Sequence, residues 1–275
     1  MMLEITSPAV ARVVRSSGAA VAVVALLTAT RAVATAPEGR SISAGVDVGF
    51  RSARDDLIVP VASSGPALGF GGRFLGAVGP GLLDTGIRFE VAALFDRSWH
   101  PAASVFHALR IAYLPMAVSR PDRWSLAVGP GLVWETDVLW LRSWDDAHAY
   151  WLGRRYLALS ARAWRPLAPT RRLELIAELN VLGFESRPPA YRYQNEDALT
   201  QVGFYFVDVN RGATFGSVLD WQALRLEADL SRTLAPGARK RGSSLGLEAR
   251  VAHTNAPAQA FVFELNVRYA YAWDL

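Results

Sequence analysis

Apolar and polar residues alternate with a period of two along most of the chain, and the pattern is clearest in its last stretch. Across residues 261–275, every second side chain is apolar or aromatic, and those between are small or polar. Successive side chains of a β-strand point to opposite faces. The pattern therefore predicts a closing strand that separates two very different environments.

The same alternation predicts a series of strands joined by turns. The predicted strands cover residues 42–51, 67–75, 85–95, 105–116, 124–140, 151–165, 173–184, 224–230 and 245–251. Connections near 77–83, 118–123, 167–171 and 234–242 are rich in Pro, Gly and Arg, which favour short turns. Successive connections alternate between the two ends of the strands, so these turns lie at one end, and the first connection, near 52–66, lies at the other.

The number of strands depends on residues 198–221. If residues 199–209 form a strand and 214–219 return, the barrel has twelve strands. If residues 214–232 form one long strand that pairs, beyond the ring, with residues 199–208, it has ten. The run 219–222 lacks Gly and Pro, so no turn is enforced there. Both counts are even, as single-chain bacterial barrels require. Twelve is the prediction and ten is the alternative.

The aromatic closing strand resembles that of bacterial outer-membrane β-barrel proteins. Those proteins typically end in a strand with hydrophobic residues at alternate positions, aromatic near the end, which the barrel-assembly machinery reads. Here Leu275 stands where the family usually has Phe. The resemblance implies an all-β, antiparallel, up-and-down transmembrane barrel, with outer-membrane lipid and the barrel-assembly machinery as partners. With a periplasmic N-terminus, the four short turns face the periplasm and the first connection, near 52–66, lies outside.

The alternation alone does not say which face points inward. In a soluble β-barrel or sandwich, the apolar face would be the core. The membrane interpretation is favoured by strands long enough for a tilted span of about 9–11 residues. Aromatic residues near strand ends resemble a membrane girdle. Gly and Ala on the polar face leave room in a crowded lumen for bulky Arg.

The first 34 residues are typical of a secretory signal. Arg12 and Arg15 precede an apolar run at 18–29, and Ala32-Val33-Ala34 fits a small-x-small cleavage site. The alternative is an N-terminal anchor helix. The signal interpretation leaves residues 35–275 as one transmembrane barrel domain.

Composition excludes several other classes of function. The chain has no cysteine, which excludes disulfides and thiolate metal sites. The formal net charge is +4, and removing the signal, with three arginines and one glutamate, leaves +2. Such a mild and scattered charge does not indicate nucleic-acid binding. No motif for a cofactor or a metal ion was found, and neither is expected.

Charged residues of the polar face are predicted to line the lumen. Both signs occur in similar number, and isolated buried charges are costly, so pairing is expected. A paired lumen would close the barrel, and an open pore is the alternative. The predicted lumen-lining residues are Arg73, Arg88, Glu90, Arg110, Glu135, Asp137, Arg154, Arg162, Glu174, Glu178, Arg225, Glu227, Asp229, Glu248, Arg250, Glu264 and Arg268.

A predicted outer loop at 144–151 holds the first candidate for catalysis. Asp145, Asp146 and His148 combine two carboxylates and an imidazole, which suits a divalent cation or acid–base chemistry. The alternative is a solvated rim cluster. A second predicted loop, 185–197, mixes Arg, Tyr and acids and could bind lipopolysaccharide phosphates or sugars. Its alternative is an ordinary polar loop.

The stretch 253–256 resembles the His-x-Ser-Asn motif of outer-membrane lipid A deacylases, but Thr254 directly follows His253. Adjacent strand residues point to opposite faces, so the two cannot act together without a bulge. Two functions are therefore carried forward. One is an outer-membrane barrel of structural, transport or surface-binding type with a charge-filled lumen. The alternative is an outer-membrane hydrolase acting on lipid or peptide at the extracellular rim.

Overall fold

The structure, a computed structural model, describes residues 40–56, 59–118, 123–141, 148–187, 213–235, 241–255 and 259–274. The predicted signal at 1–34 lies outside these residues. No helix in the described part has the length and apolar character needed to cross a membrane. The strands are β1 (Arg40–Asp55), β2 (Val59–Val78), β3 (Gly81–Phe95), β4 (Pro101–Val118), β5 (Ser125–Leu141), β6 (His148–Ala168), β7 (Arg171–Ser186), β8 (Thr214–Ser217), β9 (Trp221–Ala235), β10 (Arg241–Thr254) and β11 (Ala260–Asp274).

Ten of these strands form a closed antiparallel ring. Strands β1 to β7 pair in chain order, and β7, β9, β10 and β11 continue the ring. The last strand then pairs with the first, with Ile42 opposite Trp273 and Phe50 opposite Leu265. The alternation predicted a closing strand, and this pairing with the first strand shows that it closes the ring. Closure matters because unpaired backbone groups in hydrocarbon cost several kcal/mol each.

The predicted count of twelve strands is wrong, and the alternative of ten fits the ring. The predicted strand at 199–209 lies outside the described residues. The short strand β8 pairs with β7 at Leu182–Glu185, just beyond the point where β9 stops pairing with β7, at Leu179. Because β6 occupies the other edge of β7, β8 and β9 occupy one edge in succession. Asp220 accepts hydrogen bonds from the Ser217 N–H and hydroxyl, forming a turn that does not reverse the chain.

Several strands extend further than the alternation predicted. The connection predicted near 52–66 is short, because β1 reaches Asp55 and β2 begins at Val59. Similarly, β6 begins at His148 and β7 ends at Ser186, inside segments predicted as loops. Backbone pairing can continue where no lipid demands an apolar face, so the two-residue period fades before the strand does.

The apolar face of every ring strand points outward and the charged face points inward. On the outside, Phe70 and Leu132 are 60% and 63% exposed, whereas Arg51 and Glu264 inside are 0% exposed. A continuous exposed apolar surface of this kind marks contact with a membrane. The orientation is therefore the reverse of the soluble alternative.

The barrel interior changes character from one end to the other. We call the end with the turns at 79–80 and 169–170 the turn end, and the opposite end the loop end. Near the loop end, small and aliphatic side chains such as Leu94, Leu139 and Val262 form an apolar layer. Charged side chains fill the interior between this layer and the turn end.

Candidate functional site

The charged lumen is the most distinctive feature of the described structure. Every predicted lumen-lining residue points into the barrel and forms at least one ion pair there. Many of these pairs cross the interior instead of joining neighbouring strands. The Arg110–Glu178 pair joins β4 to β7, and the Arg88–Glu248 pair joins β3 to β10. The charges therefore brace the ring from within.

Arg51 is the centre of this bracing. Its Nη1 donates to Glu264 Oε1 at 2.7 Å and lies 3.1 Å from Glu90 Oε1, and its Nη2 pairs with Asp137. One guanidinium on β1 thus holds carboxylates from β3, β5 and β11. Asp137 also accepts a hydrogen bond from Ser104 at 3.0 Å, which brings in β4.

Two further arginines extend the arrangement around the ring. Arg250 donates to Glu264 at 2.6 Å and to Glu135 at 2.9 Å. Arg154 donates to Glu135 at 3.0 Å and to Glu185 at 3.1 Å. The resulting cluster is named here the cross-barrel hub. Its members are Arg51, Glu90, Glu135, Asp137, Arg154, Glu185, Arg250 and Glu264.

Phe106 fills the space between the arginines of this region. Its ring is fully buried, and the guanidinium carbons of Arg250, Arg51 and Arg88 lie 4.3, 5.5 and 5.8 Å from its centroid. Cations at such distances from an aromatic ring are attracted to its face. The hub is therefore packed with an aromatic side chain as well as with ion pairs.

Sequence reasoning missed several interior charges. Arg51 and Asp47 are on the polar face of the predicted first strand, so the alternation itself could have found them. Asp84 precedes the predicted start of β3, and Glu185 was assigned to a loop. The omissions of Asp84 and Glu185 follow from strand limits drawn too short.

A cavity of about 510 Å³ occupies the lumen at the turn end. Ion pairs line it, among them Arg73 Nε to Asp84 Oδ1 at 2.7 Å and Arg162 to Glu174 at 2.5 Å. The cavity reaches Arg88 but none of the hub residues. The cavity therefore extends inward from the turn end and stops at the hub.

The described residues assemble no catalytic group from the predicted candidates. Asp145 and Asp146 lie outside the described residues, and His148 begins β6, where its main chain pairs with Leu141. Among the described residues, no group of three or more His, Asp or Glu side chains is arranged to hold a metal ion.

His253 and Thr254 lie on opposite faces of β10, as the alternation predicted. His253 Nδ1 is 3.1 Å from Gln222 Oε1, whereas the buried Thr254 hydroxyl donates to Glu185 Oε1 at 2.8 Å. The two side chains therefore cannot act on one substrate. The inward residue of this deacylase-like stretch has a structural role instead. Thr254 supports the hub through Glu185.

Comparison with known proteins shows the fold of the chain. No protein-family model matches it, and no curated protein matches it in sequence. Among solved structures, the outer membrane protease OmpT from Escherichia coli superposes with a TM-score of 0.58 at 6% identity, over 90% of this chain and 100% of that one.

Two other solved structures are similar at lower TM-scores. The translocator domain of the autotransporter NalP from Neisseria meningitidis has a TM-score of 0.43 at 8% identity, covering 99% of each chain. The toluene transporter TbuX from Ralstonia pickettii has a TM-score of 0.27 at 11% identity, covering 87% of this chain and 90% of its own. The chain has the outer-membrane β-barrel fold, and at such identities the likeness extends to the fold alone.

Proposed function

We propose that the protein is exported by its N-terminal signal and resides in the outer membrane of a Gram-negative bacterium as a closed, structural barrel. The observation that carries the proposal is the hub, which lies across the lumen with Arg51 fully buried at its centre. The outward apolar face supports the membrane location. The barrel would anchor its surface loops rather than conduct solutes.

The hub is suited to closing a lumen because its charges satisfy one another. Removing one member of a buried ion pair typically costs about 3–5 kcal/mol, since the partner is left uncompensated. Opening a path through the hub would separate Arg51 from several carboxylates at once. The closed arrangement is therefore the stable one, and solute passage would need a large rearrangement.

The apolar layer at the loop end adds a second barrier above the hub. Leu94, Leu139 and Leu152 are buried against one another there, from three different strands. A charged solute that crossed the hub would next meet aliphatic side chains without polar partners. This succession argues against a transport role. Within the part of the chain that the structure describes, no assembled group of side chains supports the hydrolase alternative.

Conductance across a planar lipid bilayer tests the proposal. The purified barrel should insert without producing a steady current. A variant with Arg51→Ala, Phe106→Ala, Glu264→Ala and Leu94→Ala removes one charge of each sign, the central ring and a side chain of the apolar layer, so it should conduct. The matched control Arg54→Ala with Asp56→Ala removes an exposed ion pair and should stay silent. A steady ohmic current through the unmodified protein would refute a closed barrel.

A further inference from the structure

The cavity at the turn end has the size of a small-molecule site. Its volume of about 510 Å³ lies within the range of about 300–1,000 Å³ typical of ligand pockets. It opens at the turn end, and residues from strands on opposite sides of the ring, such as β3 and β9, line it. Because the hub is not part of its lining, the cavity can be occupied without disturbing the closure of the lumen.

One wall of the cavity is rich in small hydroxyl side chains. Ser41 and Ser43 on β1, Ser231 and Thr233 on β9 and Ser244 on β10 all line it. In the described part of the chain, the hydroxyls of Ser41, Ser43 and Ser244 have no hydrogen-bond partner. Aliphatic side chains such as Leu82 and Leu114 line the cavity as well. Hydroxyls beside apolar surface suit a polyhydroxylated ring, because each hydroxyl can both donate and accept while the carbon atoms of the ring contact the aliphatic side chains.

Buried polar atoms on the cavity lining also lack hydrogen bonds. Ser160 Oγ, Asp229 Oδ1 and Arg268 Nε are buried and have no hydrogen-bond partner among the described residues. Ser160 and Asp229 are themselves only 5% and 7% exposed. Buried polar atoms in native proteins are nearly always satisfied. The three atoms are not themselves exposed, but their residues line the cavity, so a small side-chain shift would let a bound polar ligand satisfy them.

The mouth of the cavity carries unpaired positive charge. Arg40, Arg171 and Arg232 contribute to its lining, are exposed, and form no ion pair with any described residue. Arg171 and Arg232 are direct neighbours across β7 and β9. Like charges directly opposite on a sheet repel, and an anion near both would relieve the repulsion. Guanidinium groups bind phosphate strongly, often through two hydrogen bonds.

We propose that this cavity binds a small, polyhydroxylated anion of the sugar phosphate class. The hydroxyl wall and the unsatisfied buried atoms would hold the sugar, and the mouth arginines would hold the phosphate. The proposal is independent of the closed-barrel function, because the cavity and the hub use different residues.

Isothermal titration calorimetry on the detergent-solubilised barrel tests this assignment, with glucose 6-phosphate, glucose and inorganic phosphate as separate probes. Glucose 6-phosphate should bind at least about tenfold more tightly than either component, since tenfold corresponds to only about 1.4 kcal/mol. The variant Arg171→Gln with Arg232→Gln should lose about tenfold for both phosphate-bearing probes, by the same conversion.

The matched control is Arg123→Gln with Arg165→Gln. These two exposed arginines lie at the same end of the barrel but do not line the cavity, so binding should not change. The variant Ser41→Ala with Ser43→Ala should weaken glucose 6-phosphate and leave inorganic phosphate unaffected. Retention of a heat-sensitive gel shift verifies that each variant is folded.

Three outcomes would overturn the proposal. One is the absence of binding heat with glucose 6-phosphate. Another is an equal loss of affinity in the Arg171/Arg232 and Arg123/Arg165 variants. That result would show that binding depends on the overall positive charge of this end and not on the arginines at the mouth of the cavity. The third is binding of inorganic phosphate as tight as that of glucose 6-phosphate, which would remove the sugar from the site.

Discussion

At the scale of single residues, burial decides what an ion pair contributes. Arg51 and Arg54 lie three positions apart on β1, and both contact carboxylates at short range. The Arg51 side chain is 0% exposed, whereas that of Arg54 is 50% exposed and pairs with Asp56 at 2.7 Å. Solvent screens the exposed pair, so its contribution to stability is small.

Replacing each arginine by Met should therefore give very different losses of stability. Arg51→Met leaves buried carboxylates without their partner and should lower the free energy of unfolding by about 3–5 kcal/mol. Arg54→Met should change it by less than about 1 kcal/mol. Urea unfolding in lipid vesicles, followed by tryptophan fluorescence, measures both. Similar losses in the two variants would contradict the central role assigned to Arg51.

The inward residues could be predicted from the sequence far better than their partners. Alternation on a strand identifies the face of Glu135 or Arg250, because that depends only on local geometry. Which charges meet depends on strand number, tilt and stagger around the ring, which no local pattern contains. The pairing of Arg250 with Glu135, from β10 to β5, could only be seen in the folded barrel.

At the scale of elements, β11 shows how one strand serves two environments. Leu265, Val267 and Tyr269 are exposed on the lipid side, whereas Glu264 and Asn266 are buried inside. The period of two predicted the separation of the two faces, and the membrane interpretation assigned the apolar face to lipid. The strand is therefore specified on both faces, and a shift by one residue would place charges in lipid and apolar side chains in the lumen.

Arginine substitutions on the two faces of β11 should differ in cost. Leu265→Arg places a charge on the lipid face and should cost about 2–4 kcal/mol if the site lies near the bilayer midplane. Ala270→Arg points into the cavity at the turn end and should cost less, because the side chain has room there. Vesicle-based urea titrations compare the two. A larger loss for Ala270→Arg would argue against the orientation of this strand.

The strand count shows where local patterns stop being informative. The sequence around Val218–Asp220 forms a hydrogen-bonded turn, but a turn alone does not say whether the chain reverses direction. Here β8 and β9 both pair with the same edge of β7, so no extra hairpin is added to the ring. Local turn chemistry did not enforce this interruption, because the run 219–222 lacks Gly and Pro. The strand count depended instead on which strand edge each side of the turn pairs with.

At the scale of the whole molecule, the fold depends on contact between the two ends of the described chain. β1 and β11 are the most distant ring strands in sequence, yet they pair along their full length. Without this contact, two strand edges would face hydrocarbon with unpaired backbone groups. Closure is therefore expected to be part of the same cooperative transition that forms the hub, because Arg51 and Glu264 join the same two strands.

A disulfide across the closing seam tests this arrangement directly. Val48 pairs with Val267, and Val267 pairs in turn with Leu247, all three being exposed on the outer face. Since the chain has no cysteine, Val48→Cys with Val267→Cys introduces a single possible bridge. Register partners lie about 4.5–5.5 Å apart between Cα atoms, within the reach of a disulfide. After oxidation, the unfolded protein should therefore migrate with altered mobility on a gel run without reducing agent.

The control, Val48→Cys with Leu247→Cys, spans two strand spacings of about 4.8 Å each and should not cross-link. Equal cross-linking in both variants, or none at the seam, would show that the ring does not close between β1 and β11.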